Sequence, residues 1–302
     1  MKNTLLILFS IIPIFSRFYS QEKEKDSLNF KLISLEEINV TAIRALKEQP
    51  FSFSNIDKSN LEPRNLGQDL PILLNFLPSV VTYSDAGAGI GYTGIRVRGS
   101  DATRVNVTIN GIPYNDSESQ GTFWVNLPDF SSSVENIQLQ RGVGTSTNGS
   151  AAFGASLNIL TDGISKEKFI EISTSLGSFS TLKNTLRFST GGINDNFQIS
   201  GRFSKIVSDG YIERASSDLT SYFLQTSFSN KNTLFKALLF GGHEVTYQSW
   251  YGVDSEILNK NRRYNPAGEI YDENGGFQDF YYNQVDNYKQ DHLQFHWNQI
   301  YN

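Results

Sequence analysis

Ile95-Arg-Val-Arg-Gly-Ser100, Val107-Thr-Ile-Asn-Gly-Ile-Pro-Tyr-Asn-Asp116 and Val134-Glu-Asn-Ile-Gln-Leu-Gln-Arg-Gly142, the last running on to Gly149-Ser-Ala-Ala-Phe-Gly-Ala-Ser-Leu-Asn-Ile159, are the phrases on which the fold turns. Each joins a short alternating strand to a turn that only Gly, Asn or Asp accepts readily. Val105, Val107 and Ile109 alternate with Asn106 and Thr108 before Asn110-Gly111, whose residues tolerate positive φ, so the segment reads as strand then tight turn. Val134, Ile137 and Leu139 repeat the pattern before Arg141-Gly142. Upstream, Leu66, Leu70, Leu73, Leu74 and Leu77 recur at helical spacing from Asn65 until Pro78 stops the run, and Val80 to Tyr83 reads as a strand. Local physics therefore supports a small mixed domain of short strands and glycine-rich corners.

At these residues the chain resembles the plug domain of TonB-dependent outer-membrane receptors, which carry an I-R-G segment, a V-x-V-D-G-x-P segment and an I-E-V-x-R-G-P…Y-G-x-x-A-x-G-G-x-I-N-I segment in this order. Asp69 to Val80 resembles the D-L-L-x-x-x-P-G-V element of the same family. The match is not verbatim: Val97 stands between Arg96 and Arg98, Asn110 replaces the usual Asp, Val143 the common Pro, and Phe153-Gly154 the Tyr-Gly pair. The resemblance implies that Gly99, Asn110, Gly111, Gly142, Gly154 and Asn158 are structural plug positions. By themselves Arg98 and Arg141 are solvated strand-end cations; the resemblance implies that they pair with acids on the inner barrel wall, where a desolvated guanidinium holds a carboxylate firmly. It also implies that the loops Asp85 to Tyr92 and Tyr114 to Trp124 floor an external vestibule, which puts Tyr92, Tyr114, Asn115, Asp116, Glu118 and Trp124 at the ligand.

The start of the chain reads as a leader. Lys2 precedes an apolar run from Leu5 to Phe15, too short to span a bilayer and fitted to a secretory signal peptide over residues 1–20. Residues 21–34 are a polar linker. Next comes Leu35-Glu36-Glu37-Ile38-Asn39-Val40-Thr41-Ala42, in which Ile38 and Val40 alternate with polar neighbours. This segment resembles the TonB box, which the energy-coupling protein TonB engages by adding a strand to the edge of a sheet. The plug is expected over residues 43–163 and barrel strands over 167–302.

Composition agrees with export. The 302 residues contain no Cys, so there is neither a disulfide framework nor a lipidated N-terminal cysteine. Apolar residues make up 38%, too few for helical spans, while aromatics reach 13% with 14 Tyr and 22 Phe, as in a β-barrel with aromatic girdles. The formal charge of −5 argues against nucleic acid as a partner.

After Thr161-Asp162-Gly163 the pattern becomes alternation. Phe169 to Leu176, Leu182 to Thr190 and Asn196 to Ile206 each set apolar against polar residues, for example Leu182, Leu186 and Phe188 against Lys183, Thr185, Arg187 and Ser189. Tyr222, Leu224 and Phe228 mark a fourth strand, Asn232 to His243 a less regular fifth, and Asp291 to Asn298 a sixth. Strands of about ten residues with this code face lipid on one side and water on the other. Gly191 to Asp195 and Asn230-Lys231 are short connections, whereas Val207 to Ser217 and Val245 to Asp286 are long, as periplasmic turns and external loops should be. The fold class is thus an α+β plug followed by antiparallel transmembrane strands. A barrel that houses such a plug needs about 22 strands, so the chain is expected to be the N-terminal part of a receptor.

The last loop is crowded with rings mixed with Asn, Asp and Gly, among them Tyr247, Trp250 and Tyr251. Such loops serve recognition; an interfacial girdle is the alternative, strongest for Tyr281 and Tyr282. His292 and His296 share the inward side of a strand about 13 Å apart, too far to chelate one ion, so neither metal nor cofactor is expected. Gly89-Ile-Gly91-Tyr-Thr-Gly94 satisfies a dinucleotide fingerprint, but a strand rather than a helix follows it. Gly144 to Ser150 mimics a phosphate loop without its Lys. Three His, all in the last sixty residues, and no clustered carboxylate pair leave an enzyme without support. The function the resemblance implies is TonB-dependent active uptake, driven by the inner-membrane proton-driven complex, with an iron-siderophore chelate as default cargo and cobalamin, oligosaccharide or peptide as alternatives. A non-transporting surface receptor or adhesion module on the same scaffold is the other class.

Overall fold

The computed structural model describes residues 44–46, 48–143, 152–165, 167–194 and 196–300. The leader, the linker and the coupling segment Leu35 to Ala42 fall outside the described residues, as do residues 144–151. The first elements are β1 (Ser52–Asp57), α1 (Lys58–Leu61), α2 (Leu70–Leu73), β2 (Val80–Ser84), β3 (Thr93–Val97), β4 (Val105–Ile109), β5 (Ile112–Pro113), β6 (Val134–Arg141) and β7 (Ala155–Thr161). They make a five-stranded sheet in the order β1-β6-β7-β4-β5 and a separate β2-β3 pair. Within the larger sheet β4 and β7 run parallel, and the other pairs are antiparallel.

The quoted phrases fold as their residue types require. Asn110 (φ 52) and Gly111 (φ 84) both take the left-handed conformation and turn β4 into β5. Asn110 is further held by Thr161, whose N–H donates to Asn110 Oδ1 at 3.0 Å. The helix is much shorter than its leucine spacing predicts, Leu70–Leu73 rather than 65–77. Pro71 sits in its first turn and has no N–H to continue a helix from upstream, and Gly67 breaks the chain at φ +130. Leu70, Leu73, Leu74 and Leu77 are nevertheless buried, whereas Leu66 is exposed.

Beyond the plug come β8 (Lys168–Gly177), β9 (Thr181–Thr190), β10 (Phe197–Ser208), β11 (Ser217–Ser229), β12 (Thr233–Tyr247), α3 (Ser255–Lys260), β13 (Glu269–Tyr271), β14 (Phe277–Phe280) and β15 (Val285–Gln299). Six of these form one antiparallel sheet in the order β15-β12-β11-β10-β9-β8, and β13 pairs with β14 inside the last long loop. The sheet is inverted relative to a soluble protein. Ile170, Leu176 and Trp297 are 79%, 82% and 69% exposed on one face, while Lys183, Arg202 and Gln225 are 3%, 2% and 1% exposed on the other. That is the arrangement of a wall whose outer side meets hydrocarbon.

Register makes the outer face more specific. Phe197, Phe228, Phe235 and Trp297 stand in one row across four strands, at the end with the short turns. Nearer the long connections, Asn184, Lys205, Thr220, His243 and Lys289 form a polar row across five. From Thr220 to Phe228 the strand rises about 27 Å, the scale of an outer-membrane apolar band bounded by an aromatic girdle. Two strands run further than the alternation suggests, because their inner sides are not uniformly polar. Leu234, Leu238 and Phe240 of β12 point inward and are buried, and Leu238 and Phe240 join a core cluster that includes Ile137, Leu157 and Phe130 of the plug. The lumen side is therefore a packing surface for the plug at this height, which blurs the two-residue period.

Candidate functional site: the plug–wall interface and its outer cavity

The interface is centred on the Pro128-Asp129-Phe130 corner. Asp129 takes a left-handed φ of 53 at the entry to a tight turn over Phe130–Ser133, and its side chain is completely buried. Lys183 Nζ of β9 lies 2.6 Å from Oδ1, and Arg202 of β10 lies 3.5 Å from Oδ2. Thr185 Oγ1, Ser204 Oγ and Ser132 Oγ donate to the same carboxylate at 2.7, 2.5 and 2.6 Å. Burial alone pushes this carboxyl up, but Arg202 and Lys183 outweigh it and hold the group well below the usual range. Phe130, next in sequence, packs edge-on against Phe223 at 6.2 Å and tilted against Phe240 at 5.4 Å. Arg187 of β9 adds a second link, 3.3 Å from Asp162 and 3.5 Å from Glu62.

These links are distinct from the pairing that the resemblance implies for Arg98 and Arg141, in which the bases belong to the plug. Among the described residues, no carboxylate pairs with either arginine. Arg141 donates instead to Ser54 Oγ at 2.8 Å and Ser52 Oγ at 3.3 Å on the neighbouring strand β1. Burial and the nearby Arg98 lower its pKa from the usual arginine value. The acids sit on the plug and the bases on the wall. A signal existed: Lys183, Arg187 and Arg202 fall on inward positions of alternating strands, and a cation turned toward a packed lumen needs an acid opposite.

At the end of the wall that carries the long connections, plug and wall enclose a cavity of about 350 Å³. The plug supplies Tyr92, Tyr114, Asp116 and Glu118, and the wall supplies Glu244 and Asp286. The glycine-rich loop 85–92 approaches the wall closely at Gly91 (φ +88), where a Cβ would meet Ser217 Oγ at 2.7 Å. Tyr92 then donates its hydroxyl to Asp286. Tyr114 donates to Gln290 Oε1 at 3.2 Å and lies 5.1 Å from the His292 ring. Burial first, and for Tyr92 the Asp286 carboxylate next, raise both phenols far above the ordinary tyrosine value, so both stay protonated donors. No Lys, Arg or His is among the described residues that line this cavity.

Four of the six plug residues expected at the ligand thus meet in one place, and two do not. Asn115 is spent on structure: its Oδ1 accepts from Val107 N–H at 2.7 Å and its amide donates to Val105 O and Gln120 O at 2.9 Å. Trp124 is 3% exposed within the core. Tyr247 is also buried, donating to Ala267 O at 3.1 Å and Tyr281 O at 2.9 Å, so it pins the long loop. Trp250 and Tyr251 remain exposed and stack at 4.7 Å. Sequence reading missed Glu244 and Asp286, whose inward direction follows from the period of β12 and β15 once the strands are extended to their true ends. His292 stacks on Phe240 at 4.9 Å, and among the described residues no group of three or more His, Asp or Glu is placed to hold a metal.

Residues 45–156 match the family described as the TonB-dependent Receptor Plug Domain. No curated protein matches the sequence. Among solved structures, the chain is similar to FpvA of P. aeruginosa bound to heterologous pyoverdines, with TM-score 0.59 and 13% identity over 81% of this chain and 31% of that one. It is similar to FyuA, the ferric yersiniabactin uptake receptor of Yersinia pestis, with TM-score 0.58 and 15% identity over 72% and 35%. The unliganded ferric citrate transporter FecA gives TM-score 0.57 and 18% identity over 74% and 35%. At such identities the likeness is one of fold, and the chain spans about a third of the length of these structures. The chain carries the plug domain of the TonB-dependent receptors, followed by part of a barrel wall against which that plug is seated.

Proposed function

We propose that the chain serves active uptake across the outer membrane. An extracellular ligand binds over the plug apex and the external loops, the segment Leu35 to Ala42 engages TonB, and the inner-membrane proton-driven complex displaces the plug from the wall. The observation that carries this reading is the inverted six-stranded sheet, apolar outward and polar inward, with a plug held on its inner face by buried charge pairs. Beside the apolar cluster that Phe130 shares with Phe223 and Phe240, ion pairs and hydrogen bonds hold the plug, and each of these polar contacts has water as a replacement partner once it is opened. Ferric chelates are the cargo named for the FyuA and FecA structures, and an iron-siderophore complex is the default proposed here. Growth on a single scarce nutrient should depend on Leu35 to Ala42. Proline at Ile38 or Val40, which removes a ladder donor, should abolish uptake and leave ligand binding intact; unchanged transport would overturn the proposal.

A further inference from the structure

We propose that Gln138 is a latch on the coupling segment: its side-chain amide holds the chain just past Leu35 to Ala42 and lets go before a pull reaches the strands of the plug. The inference rests on the uptake reading and adds how that pull enters the fold. Ala45 is buried and donates its N–H to Gln138 Oε1 at 2.7 Å, while Gln138 Nε2 donates to Ala45 O at 3.1 Å. The rest of the amide is taken as well: Nε2 donates to Asn55 Oδ1 and Oε1 accepts from Gln140 Nε2, both at 2.9 Å. A carboxamide has two N–H groups and two acceptor lone pairs, so its whole capacity is spent inside the plug. Arg44 adds a bond to Asn136 Oδ1 on the same strand, β6. Gln138 is only 2% exposed, so water takes no share in these bonds until the contact opens.

Behind the latch lies an edge strand. Residues 46–51 lead from Ala45 to β1, which among the described strands is bonded to β6 alone. Arg44 and Ala45 bond to Asn136 and Gln138, whereas Ser52, the first residue of β1, pairs with Arg141 at the other end of β6. Once Ala45 is free, a pull from the Asn136 end reaches Ser52 and turns β1 back along its own length. Its rungs then open singly, from the Ser52 pair with Arg141 toward the Asp57 pair with Asn136, instead of breaking together. Arg141 guards the first of them, donating to Ser54 Oγ at 2.8 Å, Ser52 Oγ at 3.3 Å and Phe53 O at 3.4 Å. It is the second catch, and β1 is the first element of the plug sheet to leave.

Optical tweezers on the full chain in detergent test this. The chain has no Cys, so Ser34→Cys and Lys231→Cys supply two handles, one ahead of the coupling segment and one in the exposed connection between β11 and β12. The first step should lengthen the tether by at most about 25 Å, the contour of residues 45–51, and the next by about 20 Å as β1 leaves. Gln138→Leu should abolish the first step and keep the second. Ala45→Pro removes one of the two main-chain bonds from outside the sheet, so it keeps the test valid if Gln138→Leu unfolds; it should open the first step about tenfold more often at a given load. Arg141→Met should hasten the second step and leave the first unchanged. A first step that survives Gln138→Leu or is unmoved by Ala45→Pro, a plug that leaves in one movement with no short step, or an Arg141→Met effect on the first step would each overturn the inference. The measurement contains no TonB, so none of these results touches the uptake reading, which stands or falls on growth that depends on Leu35 to Ala42.

Discussion

Asp129→Asn separates charge from shape at the centre of the interface. Asparagine tolerates the left-handed φ of 53 and keeps the volume, so the backbone corner survives and only the negative charge is lost. Lys183 and Arg202, 3% and 2% exposed, are then left buried with no anion. Removing one member of a buried ion pair costs about 3–5 kcal/mol, most of it the desolvation of the abandoned partner. Denaturant unfolding of the full chain in detergent, followed through buried Trp124 in the plug core, reads the loss. Lys183→Met in the Asp129→Asn background should recover roughly 2 kcal/mol, because an apolar stem replaces a stranded ammonium. The carboxyl is depressed in the folded state, so its contribution is full above the ordinary carboxylate value and fades only as pH falls below that range. Stability should accordingly show no step from this group between pH 7 and pH 5. A loss under about 0.5 kcal/mol, or a double variant no better than the sum of the singles, would refute the view that these charges hold plug to wall.

Asp69 behaves in the opposite sense. Burial, offset in part by the hydroxyl of Thr93 at 2.9 Å, raises it to about 8, so the folded chain holds a proton that the unfolded chain gives up near pH 4. Its stability contribution is complete at low pH and declines as pH rises toward 8; Asp69→Asn should flatten that decline in melts compared at pH 5 and pH 8. Gly242 lets β12 approach the plug backbone, since a Cβ there would meet Asn126 O at 2.6 Å and Pro128 Cδ at 2.7 Å, and Gly242→Val should cost about 1–3 kcal/mol by overpacking in the same unfolding assay. Asn110→Ala should cost about 2 kcal/mol through the left-handed turn and the lost bonds to Thr161, with Asn110→Gly recovering the backbone share. Phe240→Ala should cost about 3–5 kcal/mol, because its ring belongs to the cluster shared by plug and wall.

Much of the architecture was legible in local pattern. Val134, Ile137 and Leu139 lie in one strand, Val134–Arg141, as their alternation predicts, and Asn110-Gly111 is the turn its residue types demand, because conformational preference and two-residue alternation act within a few residues. The inverted face of the wall was equally legible, since lipid and lumen impose opposite polarities on successive residues. Where a third partner intervened, pattern failed. The leucines from Leu66 to Leu77 keep a helical period although Pro71 confines the helix to one turn, and the inner side of β12 loses its polarity because Phe130 of the plug covers it. The inward cations of the wall called for acids opposite, but which acids was beyond sequence. Asp129 meets Lys183 and Arg202 from more than fifty positions away, while Arg141 turns to the serines of β1. Alternation says that a side chain points inward; only the packed tertiary structure decides what it finds there, because a buried charge takes whichever counter-charge the folded chain brings within reach.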